Sequence, residues 1–322
     1  MNKLFLTVGT SKQSFHQHHN RMLARLQEEA YLIMMIEHIR ADHPTMGCRD
    51  MYFKIRPESM GRDAFEDFCR WEGYMSVRTK RYWRTTDSTG VQRFDNLTVS
   101  LELSGPDQLW VSDITYIEAG SRFYYLTFVL DAYTRCILGH SVSERLTTEQ
   151  TTLRALKRAI RTRGKATLKG LIFHSDGGGQ YYDKAFLKLT GKYFIKNSMC
   201  KYAWENPFAE RINGVIKNNY LKHRDIGSFE QLVREVDRSV KLYNHDKPHQ
   251  SLNRQTPVDF ENSIFNSNGN PGITEDTTIN TIQINKSNQS TEKKNRLIQL
   301  NIDQPISSKN NVEHCKKTVN TI

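Results

Sequence analysis

The feature that most constrains this chain is a change of hydrophobic period in its middle third. "QLWVSDITYIE", "RFYYLTFVLDAYT" and "RCILGHSVSE", between Gln108 and Glu144, are rich in β-branched and aromatic residues and are joined by short turn-forming connections. Strands linked so closely pair antiparallel, because a parallel partner needs a crossover of a dozen or more residues. The period then lengthens: from about Thr148 to Arg163 the chain reads as a helix with Leu153, Leu156 and Ile160 on one face. "LKGLIFHSD" follows as a buried-type strand, then a short helix near Asp183 to Leu189, a strand "YFIKNSM" and a helix in "ENPFAERINGVIKNNYL". Three strands, helix, strand, helix, strand, helix is a mixed α/β order, in which the first and fourth strands are expected to be neighbours.

Around this centre the chain divides by composition. Residues 1–85 read as a small helical unit, with helices in "AYLIMMIEHIR" before Pro44 and in "DAFEDFCRWEGY" up to Gly73. Residues 86–105 are polar and read as a linker, and 106–262 hold the α/β core. From 263 to 322, Asn, Thr, Ser, Gln and Lys replace large apolar residues, so this segment is expected to be a disordered tail, with room for a strand at "TINTIQIN". The net charge of +11 points to a polyanionic partner, since neutralising phosphates releases counterions. Five scattered cysteines, with no C-x-x-C pair, suggest neither a disulfide framework nor a zinc ribbon. No apolar run reaches the roughly 18 residues of a membrane span, and a cytoplasmic protein, associated with the nucleoid when on DNA, is expected.

Three acids stand where ordinary folding does not ask for them. Asp113 interrupts an otherwise apolar strand, where an unpaired carboxylate is disfavoured by desolvation unless a cation meets it. Asp176 closes the strand "GLIFHSD" and precedes "GGGQ", which lets backbone and ligand approach closely. Glu210 lies at the edge of the stripe Phe208, Ile212, Val215, Ile216, on a helix for which Asn206 offers an N-cap and Pro207 a first residue. By itself it reads as a surface Glu suited to the helix dipole. Two acids on adjacent strands and one on a facing helix make an oxygen-rich cluster, which suits Mg²⁺ or Mn²⁺. Lys217, seven residues beyond Glu210, falls on the same side of a 3.6-residue helix.

"VSDITYI", "HSDGGGQY" and "NPFAERINGVIK" resemble the three catalytic blocks of the integrase core in bacterial insertion-sequence transposases, specifically the second reading frame of the insertion-sequence-three family. "YNHDKPHQSLNRQTP", Tyr243 to Pro257, resembles that family's closing block, and "HPTMGCRDMY", His43 to Tyr52, its upstream DNA-binding element of helix-turn-helix type. The resemblance covers roughly residues 30 to 260 and implies a ribonuclease-H-like core. It implies Asp113, Asp176 and Glu210 as catalytic residues and ligands of two Mg²⁺ or Mn²⁺ ions, and double-stranded DNA, both element ends and target, as substrate. The implied reaction is DNA strand cleavage and strand transfer by a homo-oligomer on DNA, and the resemblance leaves open a partner protein from an upstream frame. Between Asp176 and Glu210 lie 210 − 176 − 1 = 33 residues, two fewer than is customary, with the shortening in "CKYAWE". Gly177 to Gly179 stand where relatives often carry a larger polar residue. A nuclease of the same fold without strand transfer, and a DNA-binding regulator that has lost catalysis, are the alternatives; the intact acid triad argues against the second.

Other residues carry weaker signals. Lys217 and Arg211 are expected to position phosphates, and "VRTKRYWR", with Arg78, Lys80, Arg81 and Arg84, alternates cations with aromatics as DNA-gripping segments do. His174, two residues before Asp176 and so on the same strand face, is a candidate support for the site, with a satisfied buried histidine as the equal alternative. Asp131 is expected to be structural. "HQHHN", His16 to His19, reads as a solvated helix end. The cations of "RALKRAIRTRGK" offer a backbone-binding face, and Asn244, His249 and Arg254 are open between supporting the core and touching DNA.

Overall fold

The structure is a computed structural model that describes residues 7, 9–76, 93–120, 122–164, 168–267 and 282–283. The first element is a long helix, α1 (Lys12–Asp42), followed by α2 (Cys48–Ile55) and α3 (Arg62–Trp71). Leu32, Ile36 and Ile39 from the last third of α1 meet Met51, Phe65 and Cys69 in a small core of their own. The segment "VRTKRYWR", with Arg78, Lys80, Arg81 and Arg84, lies outside the described residues.

A short strand, β1 (Glu102–Leu103), precedes the sheet formed by β2 (Leu109–Ala119), β3 (Arg122–Asp131), β4 (Ile137–Ser143), β5 (Ile172–Ser175) and β6 (Lys196–Met199). The order across the sheet is β4-β3-β2-β5-β6. β2, β3 and β4 pair antiparallel, and β5 and β6 join parallel to β2 through crossover helices. The first and fourth long strands are therefore neighbours, as the element order predicts, and the arrangement is the ribonuclease-H-like one that the resemblance implies.

Alternation along each strand separates two apolar layers. Trp110, Val129, Leu138 and Phe173 face α4 (Thr152–Arg163) and α5 (Lys184–Lys192). Leu109, Val111, Phe128, Leu130 and Ile137 face α6 (Pro207–Val215) and α7 (Phe229–His245). Helix α4 begins at Thr152 rather than near Thr148, where the residues form a turn. A closing helix, α8 (Pro257–Ser267), runs past the boundary expected at 262. Beyond it the described residues are Ile282 and Gln283, a strand β7 that pairs antiparallel with β1 and falls within "TINTIQIN". The rest of the expected disordered tail lies outside the described residues. No helix among the described residues is long and apolar enough to cross a membrane.

The α-helical unit is docked on the core by polar contacts. The His43 ring nitrogens lie 3.1 Å from the Tyr220 hydroxyl and 2.6 Å from Asp246 Oδ2, Lys54 pairs with Asp246, and Arg238 meets Asp42 at 2.6 Å.

One glycine sets how closely α4 lies on the sheet. A Cβ at Gly139 of β4 would fall 2.6 Å from the Ala159 amide nitrogen and inside contact of the Ala155 carbonyl, both rigid backbone. Gly139→Ala is expected to force α4 off the sheet and cost about 2 kcal/mol, as overpacking a tight core does, measured by urea unfolding of the full chain; wild-type stability would show that this layer yields.

Candidate active site

The parallel pair β2 and β5 sets the position of two acids. Leu109 lies opposite Ile172 and Val111 opposite His174, a constant offset of 174 − 111 = 63. Carrying it two residues on matches Asp113 with Asp176, since 113 + 63 = 176. Both share the parity of Leu109, Val111 and Ile172, which face α6, so both belong to the face that α6 covers. They are half-buried where the two strands cease to pair. The N–H of Gly178 donates to Asp176 Oδ1 at 3.1 Å, and a Cβ on that glycine would itself lie 3.1 Å from the same oxygen. The glycine run thus lets the chain fold tightly over its own carboxylate.

Helix α6 is tied to β2 by a row of polar side chains. The Asn206 amide donates to the Ser112 carbonyl at 2.9 Å, the Asn213 amide to Asp113 Oδ2 at 2.9 Å, and the Lys217 ammonium to Thr115 Oγ1 at 3.2 Å. Positions 206, 210, 213 and 217 are spaced to share one helix face, and Glu210 stands in that row. Asn206 occupies the N-cap position, but its side chain makes no cap bond. Its amide goes to the strand instead, because a buried carbonyl at Ser112 would otherwise lack a donor. The α-helix also does not run on to Leu221: it widens into a π turn over Ile216–Tyr220. Lys217 enters that turn and still reaches β2, with its ammonium 5.1 Å from the Tyr116 ring centre. Asn213 was missed from sequence and Asn206 was read only as an N-cap, although 213 − 206 = 7 places them on one face with the acid. Tyr181 was also missed; buried under the strand ends, its hydroxyl lies 2.9 Å from Ser112 Oγ.

The carboxylates disfavour one another's charge. Burial, and then Asp176, push the Asp113 carboxyl from its ordinary 3.8 up to about 7, with Glu210 adding a smaller push in the same direction and the Asn213 amide opposing it. Burial raises Asp176 as well. Burial lowers Lys217, while the attraction of Asp113 works the other way. Glu210 is exposed on the first turn of α6. Among the described residues no three His, Cys, Asp or Glu side chains are drawn together as a metal-holding group. The structure therefore brings Asp113 and Asp176 together and leaves Glu210 at the rim, near enough to act on Asp113 by charge. The donor set is all oxygen, with one amide and one ammonium at its edge, which suits a hard divalent ion.

The remaining candidates separate clearly. His174 is buried, with Nδ1 2.9 Å from the Ser198 hydroxyl and Nε2 without a hydrogen-bond partner among the described residues, and burial lowers its pKa to about 4. Asp131 accepts from the N–H groups of Asp107, Tyr133 and Thr134 and pairs with Arg163, closing the β3–β4 turn away from the acid pocket. That pairing corrects the expected basic face of α4. Arg163 turns inward to Asp107, Asp131 and Glu261, and Arg158 lies near Asp237 and donates to the His140 carbonyl, leaving Arg154, Lys157 and Arg161 exposed. Asn244 is a core support: its side chain both accepts from the Ile137 N–H and donates to the Ile137 carbonyl at 2.9 Å. Arg254 pairs with Asp50 over the Phe53 ring. His16, His18 and His19 are exposed on α1. Arg211 is exposed on α6, one residue from Glu210 but turned to another face.

Residues 104–203 and 195–257 match the family described as integrase core domain. The putative transposase for insertion sequence element IS986/IS6110 of Mycobacterium tuberculosis (strain ATCC 25177 / H37Ra) is 34% identical over 166 residues, 50% of this chain and 59% of that protein. Transposase InsF for insertion sequence IS3A of Escherichia coli (strain K12) is 29% identical over 164 residues, 49% of this chain and 55% of that one. Over the part that matches the integrase core domain, the chain is similar to insertion-sequence transposases. It spans less than two thirds of both of those relatives. The insertion element IS600 uncharacterized 31 kDa protein of Shigella sonnei aligns more broadly, 27% identical over 267 residues, 78% of this chain and 95% of that protein. Among solved structures, the HTLV-2 integrase catalytic core domain in complex with magnesium overlays with a TM-score of 0.41 at 22% identity, covering 49% of this chain and 97% of that one. The matched residues 104–257 contain all three acids and Lys217.

A carboxyl whose folded pKa is raised binds a proton more tightly in the folded than in the unfolded state, so its contribution is present at low pH and is lost as pH rises from about 4 to about 7. The metal-free chain is therefore expected to lose stability across that window, and Asp113→Asn to flatten the loss, measured by urea unfolding at pH 5 and pH 8. An undiminished pH dependence in Asp113→Asn would show that the carboxyl is solvated.

Proposed function

We propose that the chain is a DNA transposase that cuts and joins DNA strands with divalent metal. The observation that carries this reading is the pairing of Asp113 with Asp176 at equivalent ends of two parallel strands, with no cationic side chain paired to either among the described residues. Asp113 and Asp176 would hold two Mg²⁺ or Mn²⁺ ions, with Glu210 completing the ligand set from the rim. Bound there, the ions supply a more acidic attacking hydroxyl and charge stabilisation at the leaving oxygen.

The chain's own residues then have distinct tasks. Asn213 fixes the orientation of the Asp113 carboxylate through its amide. Lys217, on the same face as Glu210 and tied to β2, grips the phosphate backbone beside the scissile bond. In the first step water attacks a phosphodiester at the element end, a P–O bond breaks, and a free 3′-hydroxyl is left. In the second, that hydroxyl attacks a phosphodiester of the target, one P–O bond forms as another breaks, and the strands are joined. Neither step needs a covalent bond to the protein. The helical unit of residues 1–85 serves DNA recognition in this reading, and the working form is a homo-oligomer on double-stranded DNA.

With oligonucleotides carrying the element's ends, Glu210→Gln is expected to lower cleavage and joining by roughly 10⁴-fold or more while DNA stays bound. Lys217→Ala is expected to weaken end binding and joining together and to leave Mn²⁺ affinity unchanged. Cleavage without any joined product in the wild-type chain would support a nuclease instead, and full activity in Glu210→Gln would remove the acid from the site.

A further inference from the structure

Helix α6 has a second polar neighbourhood on its other face. Phe208, Arg211, Ile212 and Val215, at helical spacing, line a cleft of about 550 Å³ closed by the β3–β4 turn, by the segment after α7 and by α2. Its charged lining is Arg135, Arg211, Lys247, His249 and Asp50. Among the described residues no carboxylate pairs with the three cations, and Asp50 is engaged by Arg254. The Arg135 guanidinium lies 3.9 Å from the Phe208 ring centre, and its Nη1 is buried without a hydrogen-bond partner among the described residues. His249 Nε2 is also buried and unpartnered there, its ring edge-on to Tyr243 at 4.7 Å.

Arg135 is held in this position at a cost. Its φ is +64°, a conformation that L side chains other than Asn and Asp seldom adopt. The turn that imposes it is fixed by Asp131, whose carboxylate takes two turn N–H groups and whose carbonyl accepts from the Arg135 N–H at 2.9 Å. Three cations gathered round one imidazole, with Asp50 acting on Lys247 and Asp131 on Arg135 only at a distance, leave their mark on the histidine. Burial, and then Lys247, Arg135 and Arg211, lower His249 to about 3, so it remains neutral. A guanidinium nitrogen buried without a partner, beside two further cations, is a group that an anion would satisfy.

We propose that this cleft is a phosphate site separate from the acid pocket, seating a backbone phosphate of the bound DNA on Arg135, Lys247 and Arg211. A phosphodiester is an acceptor-only group whose two free oxygens match a guanidinium fork and a nearby ammonium. The inference rests on the reading that the chain acts on DNA. It assigns α6 two roles: one face presents Glu210 and Lys217 to the scissile phosphate, and the other anchors the duplex at a second phosphate, so that the helix fixes the register between them.

The test is fluorescence anisotropy of labelled end-DNA with the full chain, in chelator, over a range of salt. Lys247→Met and Arg211→Gln are each expected to weaken binding about tenfold at low salt and to reduce the slope of log affinity against log salt by about 1. Lys192→Gln, an exposed cation at the end of α5, is the control and is expected to change neither. Arg211 is exposed, so its variant decides the matter if Lys247→Met unfolds. Wild-type affinity and slope in Arg211→Gln would overturn the site. Inorganic phosphate, followed by the His249 imidazole resonances, gives a second arm: phosphate uptake with no dependence of DNA affinity on Lys247 or Arg211 would assign the cleft to free phosphate and overturn the DNA role. Loss of strand chemistry with cleft-dependent DNA binding intact would fail the transposase reading and leave this one standing. A wild-type chain that does not bind DNA would overturn both.

Discussion

The parallel pairing of β2 with β5 is the constraint on which the rest depends. Only three residue pairs are involved, Leu109 with Ile172 through Val111 with His174, yet they set the register in which Asp113 and Asp176 emerge side by side. A slip of one residue would turn either acid to the opposite face of the sheet. The crossover through α4 makes the pairing parallel, and the packing of α4 against Gly139 sets the distance at which that crossover lies.

Helix α6 turns this pair of acids into a site. Its amides at Asn206 and Asn213 and its ammonium at Lys217 are bonded along β2, so the helix cannot rotate without breaking buried polar contacts. Loss of the Asn213 bond would leave a half-buried carboxylate with one donor fewer. The same helix gives its other face to the cationic cleft. The α-helical unit reaches the core close by, through Asp50, Lys54 and His43.

The order of elements was legible because period and connection length report directly on local structure: three closely joined β runs leave little choice but a meander. The acids were legible because a carboxylate in an apolar strand is physically anomalous. Less could be read where tertiary contacts override local rules. Asn206 sits where an N-cap belongs, but the unsatisfied Ser112 carbonyl claims its amide. The regular period from Phe208 to Leu221 gives no sign of the π turn at Ile216. Arg163 resembles its exposed neighbours on α4, and only the fold brings Asp107, Asp131 and Glu261 to it from three distant segments. Arg135 and Lys247 could not be joined in sequence, since 247 − 135 = 112 residues separate them.

The central claim is that Asp113 and Asp176 form one cation site, completed by Glu210. It is tested most directly by isothermal calorimetry of Mn²⁺ into the full chain at pH 7.5, alongside Asp113→Asn and Asp176→Asn variants with unchanged circular dichroism. The account predicts saturable binding to the wild-type chain that is lost in both variants, because each removes a ligand from the same site. Binding of equal affinity in either variant would contradict it.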